Sequence, residues 1–307
     1  NVDTVTETEI RWKGYEKSTS RGVHAVGQLV YQDSLQAFYF RFKEDFSDTL
    51  YTLPPFDIGS YGTRFDQVLE LGQDSLLILG TYQTTLFQTE ILLLCMDTLG
   101  NTHWQNNVAV QGEDLFPVDI LPTEDGGFIL TAIEYVGLGN SGFDDEIHSI
   151  VYKLDELGNV FAQRKPGNYE VYWTEPGGTI LRDDGGFITF WCDSYIISTT
   201  LDDYNPQWTI RFAIYDQFGG LLSEGDFLEF LPTTESSVIQ GYFYDMRDII
   251  KLEDGNILIS GDNFREGFLM KVTQDGEYIW HRTFSLVDDL PNDPGFAQTT
   301  LNTTVPL

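Results

Sequence analysis

The sequence has few basic residues and no long apolar run. Lysine and arginine together number 17 against 48 aspartates and glutamates, which gives a formal net charge of −31 at pH 7. Nucleic acids are bound through basic surfaces, and anionic membranes attract basic segments. No apolar run approaches the roughly 18 residues that a membrane span needs. We therefore expect no nucleic-acid partner and no membrane insertion.

The sequence also lacks the common catalytic and cofactor motifs. Its two cysteines, Cys95 and Cys192, lie in apolar segments of different repeats and are expected to be buried thiols without metal-ligand spacing. There is no Gly-x-Ser-x-Gly nucleophile elbow and no glycine-rich phosphate loop. The sequence therefore requires no cofactor, and no catalytic residue is assigned from it.

What the sequence does contain is a repeat built on aspartate–glycine turns. Apolar runs that are separated by Asp-Gly are typical of β-hairpins, because glycine adopts positive φ without steric cost. The turn aspartates Asp97, Asp155, Asp216 and Asp275 follow one another at intervals of 58, 61 and 59 residues. A period of about 60 residues with four short strands per period is typical of a propeller blade with long loops.

The repeat predicts an all-β fold, a β-propeller of about five four-stranded antiparallel blades. An open β-solenoid or an elongated sandwich is the alternative. The predicted organisation is an N-terminal extension at 1–7, a propeller at 8–286 and a C-terminal linker or tail at 287–307. Within the propeller, the repeats are expected at about 8–56, 65–110, 116–165, 177–230 and 246–286.

Loop lengths predict which face of the propeller carries function. The first and third turns of each repeat are tight, and the aspartates in them are expected to bond to nearby backbone amides. The variation in length falls in the second turns, at 134–149 and 193–208, and in the crossings between repeats, at 168–179 and 225–246. Because binding sites usually lie on long loops that a rigid scaffold presents, we expect function on this loop-rich face.

The loop-rich face carries the candidate site residues. Oxygen ligands suit calcium, so an acidic second-turn loop is a possible Ca²⁺ site, with a solvated acidic loop as the alternative. Aromatic rings beside carboxylates suit glycan or peptide ligands, although the same rings could cap the propeller core. The candidate metal ligands are Asp144, Asp145 and Glu146, and the candidate ligand-binding residues are Tyr172, Trp173, Asp202, Asp203, Tyr204, Tyr242 and Tyr244.

Two segments of the third repeat carry a family resemblance. The stretch Thr123-Glu124-Asp125-Gly126-Gly127-Phe128-Ile129-Leu130, followed by Val151 to Asn159, resembles the propeller-type repeats of proteins that Bacteroidota secrete. Such proteins often end in a sorting domain for the type IX secretion system, which is absent from this sequence. The resemblance covers roughly residues 65–285 and implies a propeller with an extracellular or cell-surface location. It implies no particular activity.

Together these features predict a secreted or cell-surface, non-enzymatic propeller that acts as a binding or structural module for proteins or glycans. The alternative is a polysaccharide-acting enzyme that uses carboxylates on the loop-rich face. Glycoside cleavage needs two carboxyl groups about 5 to 9.5 Å apart, a separation that a sequence does not give. Convergence of carboxylates from several repeats would favour the enzyme.

Overall fold

The structure is a computed structural model, and it describes residues 9–18, 22–31, 34–42, 49–56, 62–72, 74–85, 88–110, 114–136, 146–166, 173–196, 206–227, 245–262 and 266–285. These residues form twenty β-strands. Among the described residues there is no helix that is long and apolar enough to cross a membrane.

In chain order the strands are β1 (Glu9–Ser18), β2 (Gly22–Tyr31), β3 (Ser34–Phe42), β4 (Thr49–Phe56), β5 (Thr63–Glu70), β6 (Ser75–Thr85), β7 (Gln88–Asp97), β8 (Thr102–Val108), β9 (Asp114–Pro122), β10 (Phe128–Val136), β11 (Glu146–Leu154), β12 (Val160–Arg164), β13 (Trp173–Leu181), β14 (Phe187–Ile196), β15 (Pro206–Tyr215), β16 (Leu221–Asp226), β17 (Asp245–Lys251), β18 (Ile257–Asp262), β19 (Glu266–Val272) and β20 (Tyr278–Ser285).

Consecutive strands pair in groups of four, which gives five antiparallel sheets and confirms the predicted all-β propeller architecture. The first sheet is β1 to β4, the second β5 to β8, the third β9 to β12, the fourth β13 to β16 and the fifth β17 to β20. One parallel pairing, of Ile147 on β11 with Trp173 on β13, joins the third and fourth sheets edge to edge. The first sheet contains a strand that the sequence pattern did not reveal, β1, which pairs with β2.

The chain divides into two compact units, Asn1–Val136 with Leu154–Phe161, and Gly137–Lys153 with Ala162–Leu307. The first unit holds the first and second sheets, and the second unit holds the fourth and fifth. The third sheet contributes β9 and β10 to the first unit and most of β11 to the second.

In the first unit, the first two sheets pack together through a cluster that includes Tyr39, Phe65, Leu76 and Ile78, each at most 1% exposed. Successive residues of a strand face opposite sides of its sheet. Leu77 and Leu79 of β6 are nevertheless buried too, because the second sheet is covered on both faces. A strand that is buried on both sides reads as a continuous apolar run, which is the pattern that β6 and β7 show.

In the second unit, the fourth and fifth sheets pack through their own cluster. Its largest members are Phe190, Phe212, Phe227 and Phe268, all of them buried. The ring of Phe212 lies 5.2 Å from that of Phe227 and 6.5 Å from that of Phe190, measured between centroids. Complete burial of a side chain of this size contributes about 1.5 to 3 kcal/mol, so these rings account for much of the packing between the two sheets.

Each sheet has two ends, and the turns distinguish them. The first and third turns lie at what we call the tight-turn end, where the fourth sheet has residues 182–186 and 216–220. The opposite end, where the second strand finishes and the third strand begins, we call the second-turn end. It corresponds to the face that the loop lengths single out.

Candidate functional site

The residues proposed as ligands from the sequence lie mostly outside the described residues. Those outside are Asp144, Asp145, Tyr172, Asp202, Asp203, Tyr204, Tyr242 and Tyr244. Glu146 and Trp173 are the first residues of β11 and β13, and the backbone of Trp173 pairs with that of Ile147. Within the described residues there is no group of three or more His, Cys, Asp or Glu side chains that could hold a metal ion.

The aspartates of the tight turns have the structural role that the sequence predicted. In the third turn of the third sheet, one carboxylate oxygen of Asp155 accepts hydrogen bonds from the amides of Leu157, at 2.9 Å, and Asn159, at 2.8 Å. The hydrogen bond from the Asn159 side chain holds the pKa of Asp155 below its ordinary value. Asp97 makes the same contacts with Leu99 and Asn101.

The tight-turn end of the second unit is also where ion pairs join the fourth and fifth sheets. Arg182 contacts Asp275 at 2.8 Å, and the Lys251 ammonium contacts Asp183 at 2.6 Å. The hydrogen bonds from Lys251 and then from Gln274 lower the pKa of Asp183. These contacts fasten two neighbouring sheets, and we interpret this end as structural.

The second-turn end of the fourth sheet carries a buried carboxylate. Asp193 lies near the end of β14 and is 0% exposed, and its oxygen is 3.1 Å from Nε of Arg211 on the neighbouring strand β15. The strand register places Trp191 opposite Arg211 and Asp193 opposite Thr209, so Arg211 reaches along the sheet to the carboxylate. Burying an ion pair costs several kcal/mol of desolvation for each ion. The burial of Asp193 beside Arg211 therefore points to a role other than stability.

The fifth sheet also carries a buried carboxylate at this end, paired with an arginine of its first strand. Asp262 is the last residue of β18 and is 4% exposed. Its carboxylate accepts a hydrogen bond of 3.1 Å from Nε of Arg247 on β17. Arg247 is an extra residue in its strand, because Met246 pairs with Gly261 and Asp248 with Ser260. Such a β-bulge redirects a side chain, and here it places Arg247 next to Asp262.

The bulge in β17 is one of five at the same position. The residues of each second strand can be numbered from its first buried apolar residue. In all five sheets, the bulge in the first strand then lies opposite the junction between residues four and five of the second strand. The extra residues of the first strands are Lys13, Asp66, Val118, Gly177 and Arg247. In the second sheet the extra residue, Asp66, is also in an ion pair, with Nε of Arg64 at 2.7 Å.

In the first unit, the second-turn end of the sheets also carries polar side chains. Tyr82 on β6 donates a hydrogen bond of 2.5 Å to Glu90, its pairing partner on β7, and accepts one of 2.5 Å from Asn107. Burial and then the bond to Glu90 raise the pKa of Tyr82 above its ordinary range. At the seventh position of its own strand β10, Glu134 is 0% exposed, as is Asp193 at the seventh position of β14.

Sequence reasoning missed these carboxylates because it used Glu134 and Asp193 to mark the beginning of loops. The strands continue past them, to Val136 and Ile196. A signal was available, since both acids lie six residues after the phenylalanine that follows the Gly-Gly of the first turn. Asp262 lies five residues after the matching Ile257.

No protein-family model matches the chain, and no curated protein sequence matches it. Solved structures do. The chain is similar to a PL25 ulvan lyase bound to -[GlcA(1-4)Rha3S]-, with a TM-score of 0.57, 10% identity, and coverage of 88% of this chain and 68% of the lyase. It is also similar to the GH93 α-L-arabinofuranosidase of Fusarium graminearum with arabinobiose, with a TM-score of 0.53, 9% identity, and coverage of 90% and 81%.

A third similar structure is a puromycin hydrolase mutant complexed with PGG, with a TM-score of 0.50, 16% identity, and coverage of 86% of this chain but only 38% of the hydrolase. At these identities the likenesses show the fold, the β-propeller. They also correct the prediction of a non-enzymatic module, because the three similar structures are named as a lyase, an arabinofuranosidase and a hydrolase. The missing sequence motifs were therefore no basis for preferring a non-enzymatic module over the enzyme.

Proposed function

We propose that this protein is a polysaccharide-acting enzyme whose chemistry depends on Asp193 and Asp262 at the second-turn end of the fourth and fifth sheets. The observation that carries the proposal is a buried carboxylate at this end of each of the two sheets, 3.1 Å from the Nε of an arginine on a neighbouring strand. Both sites lie in the second unit, in two sheets that share one apolar core, and each carboxylate lies on the face of its sheet that is turned away from that core.

The chemistry of glycosidic bonds supports this assignment. Enzymes that cleave them use two carboxyl groups, one to protonate the leaving oxygen and one to act as base or nucleophile. Such groups need fixed positions, and a carboxylate that an arginine holds inside a sheet has one. The named activities of two similar propellers, the ulvan lyase and the arabinofuranosidase, also favour a glycan substrate.

The proposal places the enzyme outside the cell or at its surface, where structural polysaccharides occur. The resemblance of residues 123–130 and 151–159 to the repeats of secreted propellers supports this location. The net charge of −31 is suited to a protein that stays soluble at high concentration.

The test compares Asp193→Asn and Asp262→Asn with Asp183→Asn. Asp183→Asn removes a charge from an ion pair too, but at the tight-turn end. A panel of neutral and anionic polysaccharides is incubated with each variant, and new reducing ends and ultraviolet-absorbing unsaturated products are measured. We expect the first two variants to lose at least about 100-fold in rate, the usual scale for a general acid or base, while Asp183→Asn keeps the rate of the unmodified protein.

Thermal unfolding of each variant shows whether lost activity reflects lost structure. Two results would refute the proposal: no cleavage of any polysaccharide by the unmodified protein, or undiminished cleavage by both Asp193→Asn and Asp262→Asn.

A further inference from the structure

One face of the fourth sheet carries a column of buried polar side chains. On β14 these are Thr189, Trp191 and Asp193, each at most 1% exposed, and they alternate with the apolar residues that pack against the fifth sheet. Thr189 shares a hydrogen bond of 2.9 Å with Thr179 on β13, and Asp193 contacts Arg211 on β15. Trp191 lies between them and differs from both, because its indole Nε1 has no hydrogen-bond partner among the described residues.

Strand β11 of the third sheet covers this face with the side that carries Ser149. At the tight-turn end, the Cβ of Lys153 lies 3.5 Å from the position that a Cβ on Gly219 of the fourth sheet would take. Ser149 is four residues from Lys153 and therefore points to the same side of β11. The Ser149 side chain is 1% exposed, and within the described part of the chain its hydroxyl has no hydrogen-bond partner either.

The strand register places Ser149 and Trp191 at nearly the same height along the strands. Ile147 on β11 pairs with Trp173 on β13, whose partner on β14 is Ser194. Towards the tight-turn end, Ser149 lies two residues from Ile147, and Trp191 lies three residues from Ser194. The heights of the two side chains therefore differ by about one residue, roughly 3.3 Å.

The chemistry of the two groups indicates what lies between them. The indole N–H of Trp191 can only donate a hydrogen bond, whereas the hydroxyl of Ser149 can donate and accept. A buried polar group without a partner destabilises the folded state. The side chains next to Trp191 on this face include the small Thr189 and, directly opposite it, Ala213, so a large ring has small neighbours. Buried water molecules typically occupy such polar sites and make about three hydrogen bonds there.

We propose that one buried water molecule is bound between β11 and β14, where it accepts the hydrogen bond of the Trp191 indole and bonds to the hydroxyl of Ser149. The water joins β11 to the fourth sheet through polar groups, in contrast to the apolar core between the fourth and fifth sheets. This inference goes beyond the proposed function and does not depend on it, because it concerns an internal ligand and not a substrate.

A crystal structure of the unmodified protein tests the site directly. We expect electron density for one water molecule within about 3.2 Å of both Nε1 of Trp191 and Oγ of Ser149. A direct hydrogen bond between the two side chains would overturn the inference. The lack of any density between them would overturn it too.

Two nearly isosteric replacements test the site in solution. Ser149→Ala removes the hydroxyl, and replacement of Trp191 by 3-benzothienylalanine removes the indole N–H while it keeps a bicyclic ring. We expect each change to lower the melting temperature by roughly 2 to 4 °C, the effect of one net hydrogen bond in a domain of this size.

The matched control is Thr189→Val on the same face. It removes one partner of the 2.9 Å hydrogen bond to Thr179, so it should lower the melting temperature by a similar amount. An unchanged or raised melting temperature with Ser149→Ala or with the Trp191 replacement would overturn the inference, because removal of a buried polar group that has no partner does not destabilise a protein.

Discussion

Replacing Gly276 by alanine tests whether the fourth and fifth sheets pack as the structure shows. Gly276 lies in the third turn of the fifth sheet with φ of 76°, and an L-residue in that conformation costs about 1 to 2 kcal/mol. An alanine Cβ would also overlap the ring of Phe212 in the fourth sheet, with Cδ2 only 2.8 Å away and two ring carbons closer still. The ring is 9% exposed and has little room to move.

Overpacking of a buried site costs about 1 to 3 kcal/mol. We therefore expect Gly276→Ala to lower the free energy of unfolding by about 2 to 5 kcal/mol in urea titrations followed by circular dichroism. The matched control is Gly185→Ala, in the same unit and with φ of 83°, where the nearest atom lies 3.5 Å from the new Cβ. This control should lose only about 1 to 2 kcal/mol, the backbone cost alone.

A second substitution identifies the source of the loss. Phe212→Leu removes the ring edge that the new methyl group meets, so it should cost less in the Gly276→Ala background than alone, with a coupling of about 0.5 to 3 kcal/mol. Equal losses for Gly276→Ala and Gly185→Ala, together with no coupling to Phe212, would refute the packing of these two sheets.

Three further predictions concern charged groups. Burial, and to a smaller extent Arg41, lower the pKa of His24, so the unfolded chain binds more protons and stability should fall as pH decreases below about 6.5; a pH series of melting temperatures that is flat there would contradict this. Hydrogen bonds from Lys271 and then from Asn256 lower the pKa of Asp254 to about 2, so its small stabilisation should be lost as pH falls from about 4 to about 2. Lys271→Met should reduce this loss in the same pH series of melting temperatures. The double variant Asp193→Leu/Arg211→Met should be about as stable as the unmodified protein, whereas Arg211→Met alone, which leaves the buried carboxylate without this partner, should lose about 3 to 5 kcal/mol in urea titrations.

Turn chemistry made most of the fold predictable. Asp97, Asp155 and Asp216 accept hydrogen bonds from the amides two and four residues later, and the glycine that follows each has positive φ. These requirements are local, so they are visible in a sequence without knowledge of any partner strand.

One first strand, β1, was not predicted, for a reason that the bulges explain. Phe65 and Val68 of β5 are both buried although they are three residues apart, because Asp66 is inserted between the paired positions. An inserted residue interrupts the alternation of apolar and polar side chains on which strand prediction depends. In β1 the inserted residue is Lys13, and this strand was not predicted.

The candidate site was only partly accessible to sequence analysis. The face was predicted from loop lengths, but the proposed ligands were the acids and aromatics of the loops themselves. A carboxylate that follows an apolar run reads as the start of a loop, since an ionised side chain is rarely buried without a partner. For Asp193 and Asp262 the partners are Arg211 and Arg247, which are 18 and 15 residues away in the sequence and adjacent only through strand pairing.

The position of the ion pairs separates structural from functional charge. At the tight-turn end, Arg182 with Asp275 and Lys251 with Asp183 join two different sheets through exposed aspartates, so they hold the unit together at little desolvation cost. The pair of Asp193 and Arg211 lies within one sheet, and its carboxylate is fully buried. The two strands that it joins are already held together by their backbone hydrogen bonds. An apolar pair of similar size would stabilise the sheet equally well. A charge is therefore buried where it gives no structural advantage, at the second-turn end of the sheet, which the loop lengths also indicate. This is the physical reason for placing function at that end.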